Sequence, residues 1–173
     1  MKLTKIGHPA IDIDLAYATS NNIAGKRLYM DSDALLHPDA ATALHAAADI
    51  LQAQNLRICV FDAFRPAYVQ QKLWAVLPDP EFIADPEVGS DHTRGIAVDL
   101  TITDQSGQPL DMATGFDEMV QQSHHNRVDI PVTAQQNRLL LLGAMALAGF
   151  QHNPFEWWHY SLPNAENYPL ING

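Results

Sequence analysis

The chain has 173 residues, 47% of them hydrophobic and 17% charged, a size and composition that fit one globular core. Ten Lys and Arg stand against twenty Asp and Glu, a formal net charge of −10, which excludes the basic surface that a nucleic-acid partner needs. Folding at this length buries roughly 70% of the surface of the unfolded chain, so the core needs neither disulfide nor structural metal, and a metal here would serve chemistry.

In chain order, the first nine residues include no apolar run of signal-peptide length before Pro9, which sets the expectation of a cytoplasmic protein. The stretch 40–54, opened by His37-Pro38-Asp39, is alanine-rich with Leu44, Ala47, Ala48 and Leu51 at helical spacing, and the period predicts a helix. Residues 57–61, Arg-Ile-Cys-Val-Phe, are strand formers. They contain the single cysteine, Cys59, so no intrachain disulfide can form, and the thiol is expected in the core. A second helix is predicted from Pro66, a residue suited to a first helical position, to about Leu77, which makes 62–65 a strand-to-helix turn.

Three prolines and a glycine in residues 78–89 predict a loop. From Gly95 onward Ile96, Val98, Leu100 and Ile102 alternate with Ala97, Asp99, Thr101 and Thr103, a strand with one apolar face from which Asp99 points away. Thr133 is placed to cap a helix over 134–148 with Gly149 as its stop. Within it the apolar window 139–149 is too short to span a bilayer and is read as buried. Residues 155–162 form a final aromatic-rich strand. The mixed order of elements predicts an α+β fold in one domain, 1–173.

Eight histidines raise the question of which lie near carboxylates. Two clusters qualify: Ser90-Asp91-His92 with Gly95 and Asp99, and Glu156-Trp157-Trp158-His159. A catalytic zinc site takes three N and O ligands and leaves a position for water. His92, Asp99 and His159 supply such a set, and Glu156 supplies the general base that takes a proton from the attacking water. Positions three apart face opposite ways in an ideal strand, so the backbone must bend for Glu156 and His159 to share a site. On residue type alone a loop histidine is usually solvated, and His124 and His125 are read as structural. No His-Glu-x-x-His helix, Walker loop, Gly-x-Ser-x-Gly elbow or Gly-x-Gly-x-x-Gly turn occurs, which removes the usual support for serine-hydrolase, NTPase and dinucleotide-binding readings.

The pattern Ser90-x-His92-x-x-Gly95-x-Ala97-x-Asp99, with Glu156-x-Trp158-His159 far downstream, resembles the zinc D-alanyl-D-alanine dipeptidases of the VanX type. The likeness includes Tyr17-Ala18-Thr19, Asn21-Asn22, Gly25, Asp62-Ala63-Phe64-Arg65-Pro66, Gly115-Phe116-Asp117 and Ser123-His124-His125, in order, from about residue 10 to 162. Phe64 departs from the tyrosine common there, and the chain is on the short side for the family. The zinc motifs are shared with D,D- and L,D-carboxypeptidases of Hedgehog-like fold, so the resemblance implies a mainly antiparallel central sheet flanked by helices.

It further implies one zinc ion per chain on His92, Asp99 and His159, with Glu156 as base and then acid and Arg65 as oxyanion stabiliser. Tyr17 and Asp117 are implied for the ammonium end of a free D-Ala-D-Ala substrate and Ser90 for its carboxylate end. The partner is then a small dipeptide, with no nucleic acid and no membrane. Antibiotic resistance and dipeptide salvage are equally compatible with that chemistry. The rival readings are a zinc D,D- or L,D-carboxypeptidase or endopeptidase acting on longer peptidoglycan peptides, and a zinc-binding module of the same fold without catalysis.

Overall fold

The computed structural model describes residues 2–30 and 33–171. Its centre is a five-stranded sheet built from β2 (Ile11–Ile13), β4 (Arg57–Asp62), β5 (Ala97–Thr103), β6 (Gln151–Asn153) and β7 (Glu156–Ser161), in the order β2-β4-β5-β7-β6. Only β2 and β4 pair in parallel; every other pair in this sheet is antiparallel, as expected. A two-stranded antiparallel ribbon joins β1 (Thr4–Lys5) to β3 (Leu35–Leu36). Three helices complete the fold: α1 (Pro38–Gln52), α2 (Ala67–Trp74) and α3 (Val132–Leu147).

The core lies where α1 and α3 cover one sheet face. α1 buries Ala40, Ala41, Leu44, Ala47, Ala48 and Leu51, the stripe its sequence period demands, and its small alanines let the helix sit close to the strands. Ile58 stands opposite Ile102, Val60 opposite Leu100 and Val98 opposite Tyr160, and paired residues share a face. All six are fully buried. Among the described residues no helix is long and apolar enough to cross a membrane.

Several local expectations are corrected. All seven residues of β5 are buried, because it is a central strand covered on both faces; Asp99 does leave the apolar face but points into the protein. Cys59 is only half-buried, since it lies on the sheet face away from α1. Pro131 rather than Thr133 precedes α3 and no side chain caps it. α2 starts after Pro66 and stops at Trp74, short of the expected Leu77. Leu139 and Leu147 are exposed, so the apolar window is buried on one side only, through Leu141, Ala144 and Met145.

Two register breaks shape the polar side of the sheet. In β4 the pairing shifts between Val60 and Asp62, so Asp62 comes to stand opposite Asp99 instead of facing α1 with Val60. A bulge of this kind re-aims a side chain at the cost of one ladder step. In the terminal hairpin His152 stands opposite Tyr160 but Asn153 opposite Glu156. β7 thus has extra residues there, which supplies the bend that Glu156 and His159 require.

Candidate metal centre and its pocket

The sheet face away from α1 and α3 holds the cluster. Asp99 pairs across the ladder with Asp62 on one side and His159 on the other, so three site residues form one rung. His92 comes from the loop before β5. Gly95 turns that loop at φ 72°; a Cβ there would lie 2.9 Å from Leu3 Cδ2 and 3.1 Å from the His37 backbone nitrogen, and the Gly95 carbonyl accepts the His37 N–H at 2.7 Å. The motif glycine is therefore required by both its backbone conformation and the close approach of another segment.

His92 Nε2 lies 3.2 Å from His159 Nδ1 and 3.3 Å from Asp99 Oδ2, and His159 Nδ1 lies 2.9 Å from Asp99 Oδ1. The separation of the two nitrogens is close to the roughly 3.3 Å edge of a tetrahedron of ligands bound at about 2.0–2.1 Å, and each oxygen of the Asp99 carboxylate faces one of them. His92 Nδ1 donates to the Ala63 carbonyl at 2.7 Å, which fixes the tautomer and turns the Nε2 lone pair into the cluster. Burial opposes charge on both His92 and Asp99. The fields of Asp99 and Asp62, with the Asp99 hydrogen bond, together nevertheless raise His92 above its ordinary range. The charges and hydrogen bonds of His92 and His159 hold Asp99 well below the usual carboxylate range. The donor set fits a divalent cation, and among the described residues it is the one such His/Asp group.

Glu156 is buried beside this set, with Oε2 3.9 Å from His159 Nδ1 and accepting from Asn153 Nδ2 at 2.7 Å. Burial, reinforced by the charges of Asp99 and Asp117, raises its pKa well above the ordinary value. Arg65 is 7% exposed. Its Nε donates to Asp62 Oδ2 at 2.8 Å, its Nη2 lies 2.7 Å from the same oxygen and 3.6 Å from Asp99 Oδ2, and Nη1 donates to Gln70 Oε1 at 2.9 Å. Burial works against the guanidinium charge, but Asp62, Tyr17, Tyr29 and Asp99 together outweigh it and the pKa is raised. The guanidinium lies over the Tyr17 ring, 5.1 Å from its centroid.

Tyr17 Oη donates to the Asp117 carboxylate, 3.0 and 2.9 Å from its two oxygens. Asp117 takes a left-handed φ of 59°, and Phe116 beside it packs edge-on against Trp158 and Tyr17 and against Phe61. Burial, moderated by the Tyr17 hydrogen bond, pushes the Asp117 carboxyl up to about 7. Ser90 Oγ accepts the His92 N–H at 3.2 Å, which braces the loop and leaves the hydroxyl hydrogen available.

All eight residues singled out in the sequence line one cavity of about 240 Å³, below the roughly 300–1,000 Å³ of drug-sized sites. Residues 78–89 form part of its wall through Pro80, Phe82, Ile83 and Ala84. Trp158 is 1% exposed and also lines the cavity. His125 donates its backbone N–H to Pro154, and His124 Nε2 lies 3.2 Å from Glu81 Oε1; both stand outside the metal set. Asp62, Tyr29, Gln70 and Asn153 had no assigned part. Asp62 accepts from Arg65 and, in a short hydrogen bond, from Tyr29 Oη; the available signal was an acid at a strand end three residues before Arg65.

A family model described as D-ala-D-ala dipeptidase, of the M15 peptidases, matches residues 1–171. The D-alanyl-D-alanine dipeptidase of Escherichia coli (strain K12) is 46% identical over 163 residues, covering 94% of this chain and 84% of that protein. The enzyme of the same name from Enterococcus faecalis (strain ATCC 700802 / V583) is 32% identical over 177 residues, covering 90% and 87%. A solved zinc complex of a mutant vancomycin-resistance D,D-pentapeptidase, VanY, aligns over 94% of this chain and 85% of that chain, at 16% identity and a TM-score of 0.48. On the extent of the family match and of the relatives' coverage, the chain belongs to the D-Ala-D-Ala dipeptidase family of the M15 peptidases.

Proposed function

We propose that the protein hydrolyses the free dipeptide D-Ala-D-Ala to two molecules of D-alanine in the cytoplasm, using one zinc ion held by His92, Asp99 and His159. The observation that carries this reading is the joining, in one cavity of about 240 Å³, of that donor set with a buried base, a buried guanidinium and a separate carboxylate. When bound, zinc supplies Lewis-acid polarisation of the scissile carbonyl and lowers the pKa of water.

Glu156, off the metal set, takes the proton of the attacking water and returns it to the leaving amine; its raised pKa suits a group that must act first as base and then as acid. Arg65 faces the carbonyl oxygen as negative charge develops there, worth about 2.7–4 kcal/mol for one well-placed donor. Lysine would lack the planar fork that lets Arg65 engage Asp62, Gln70 and substrate together. The Asp117 carboxylate, oriented by Tyr17, receives the substrate ammonium, and Ser90 donates to the substrate carboxylate. A cavity that hydrogen-bonds both charged ends disfavours peptides lacking one of them, which weighs against a carboxypeptidase acting on longer chains.

The test is D-alanine release by metal-stripped protein with and without added zinc, on D-Ala-D-Ala, L-Ala-D-Ala and N-acyl-D-Ala-D-Ala. The expected result is zinc-dependent cleavage of the free D,D-dipeptide and none of the acylated peptide. Cleavage of the acylated peptide would replace this reading with a carboxypeptidase, and zinc binding without cleavage of any would replace it with a binding module.

A further inference from the structure

Gln70 is a polar side chain buried to 1% exposure in the first turns of α2. Such a group must be satisfied internally, and both ends of its amide are. Oε1 accepts from Arg65 Nη1 at 2.9 Å, while Nε2 donates to the Ala84 carbonyl at 2.7 Å. One planar group therefore joins the guanidinium to the loop that walls the cavity. The same arginine is tied through its backbone N–H to the His92 carbonyl, 3.1 Å away. A continuous chain of hydrogen bonds thus runs from the metal loop through Arg65 and Gln70 to Ala84.

The amide also settles the use of the Arg65 donors. Asp62 engages Nε and Nη2, and Gln70 engages one of the two Nη1 hydrogens. The guanidinium is held along one edge by Asp62 and at its far corner by Gln70, which leaves the second Nη1 hydrogen with a fixed direction. Without Gln70 nothing among the described residues holds that corner.

We propose that Gln70 is a positioning residue that couples docking of the 78–89 loop to the orientation of Arg65, so that the guanidinium is aimed only when the cavity wall is in place. This rests on the reading of Arg65 as the group facing the carbonyl oxygen. The loop has one buried apolar anchor of its own, Ile83, 3% exposed, and its Phe82 and Ile83 amides are protected by the Asp79 carbonyl. Both bonds lie within the loop, so these two amides report the order of a turn that docking through Ile83 and Ala84 supports, without any substrate.

The test compares Gln70→Met, of similar length but unable to donate or accept, in the wild-type and Arg65→Ala backgrounds. The measurements are steady-state D-alanine release, hydrogen exchange at Phe82 and Ile83, and the NMR signal of the Arg65 Nε–H. The expected result is a kcat lower by about 10- to 100-fold, the loss that misplacement of a catalytic group produces, with a smaller change in KM. Exchange at Phe82 and Ile83 rises at least about tenfold, the Arg65 Nε–H signal shifts or broadens, and in Arg65→Ala the substitution changes kcat by less than about twofold.

Equal fold-losses in both backgrounds, or loop exchange unchanged, would overturn the coupling. Should Gln70→Met fail to fold, Gln70→Glu keeps the acceptor for Arg65 and loses the donor to Ala84. It should raise loop exchange while the Nε–H signal persists, and loss of neither or of both would overturn the proposal. Wild-type protein inert toward D-Ala-D-Ala would refute the dipeptide reading instead, and the exchange and NMR measurements would still decide the coupling.

Discussion

Replacing Asp62 by Asn isolates the charge that balances Arg65. Asp62 is fully buried, and it meets the guanidinium at 2.8 and 2.7 Å while also accepting from Tyr29 Oη. Asparagine matches its shape and keeps one acceptor, so the change removes charge and one hydrogen bond without opening a cavity. Arg65 is left with Asp99 at 3.6 Å as its only carboxylate within ion-pair distance among the described residues. Breaking a buried pair on one side costs about 3–5 kcal/mol, because the remaining charge stays desolvated. The retained acceptor puts this variant near the lower end, a fall of about 6–12 °C in melting temperature for a chain of this size at about 2–4 °C per kcal/mol.

The assay is urea unfolding of metal-free protein, where the midpoint should fall at constant m-value. The double variant Asp62→Asn/Arg65→Met removes both charges and should recover most of the loss. A cost below about 1 kcal/mol for Asp62→Asn, or strict additivity in the double variant, would refute the claim that Asp62 holds Arg65 charged and in place.

Further outcomes are expected at Asp117, Glu156, His159 and Gly95. Asp117 has a carboxyl pushed up to about 7 from the ordinary 3.8, so the folded state binds this proton more tightly than the unfolded chain does. Its contribution to stability is complete below pH 3.8, declines with rising pH and is lost above about 7, and Asp117→Asn should abolish that slope in pH-dependent unfolding. Asp117→Ala should raise KM more than it lowers zinc content; equal loss of metal would remove its part in recognition. Glu156→Gln should lower kcat by about 10²–10⁴ with one zinc retained by elemental analysis, whereas His159→Ala should lose the metal. Gly95→Ala should cost about 1–3 kcal/mol in unfolding experiments, given its φ of 72° and the backbone nitrogen of His37 3.1 Å from the added carbon; an unchanged midpoint would show that the loop and the start of α1 can move apart.

The elements that a single period specifies were legible in the chain. The α1 stripe and the strands at 57–61 and 155–162 fall where hydrophobic spacing puts them, and the candidate ligands His92, Asp99 and His159 stand close together as one potential donor set. Capping was less legible: Thr133 is a good cap by type, yet Pro131 starts α3 because its fixed φ already suits the entry. The burial of Asp99 was hidden for a different reason. Alternation tells which face a residue takes but not whether the polar face meets water, and in a central strand it meets other protein.

Asp62 carried only the weak signal of an acid near Arg65 and Gln70 none, because their importance comes from joining Arg65 to partners elsewhere, Tyr29 and Asp99 for one and the Ala84 carbonyl for the other. A shift in pairing register leaves no mark in residue type. The bend that serves Glu156 and His159 was recognisable only as a necessity, and its means, the unequal pairing of Asn153 with Glu156, is a property of two strands together.

The rung formed by Asp62, Asp99 and His159 gives the site a kind of rigidity that loop-built centres lack. Spacing across that rung is set by the interval between hydrogen-bonded strands, about 4.7–4.9 Å, and the ladder maintains it whether or not a cation is present. In domains that fold around their metal, the free energy of binding is the free energy of folding. Here the two are separated: the sheet bears the cost of bringing like-charged carboxylates together, and Arg65 partly offsets it. Two of the three candidate donors, Asp99 and His159, are thus held by the ladder itself, and only His92 depends on a loop, which the turn at Gly95 and the Ala63 carbonyl brace.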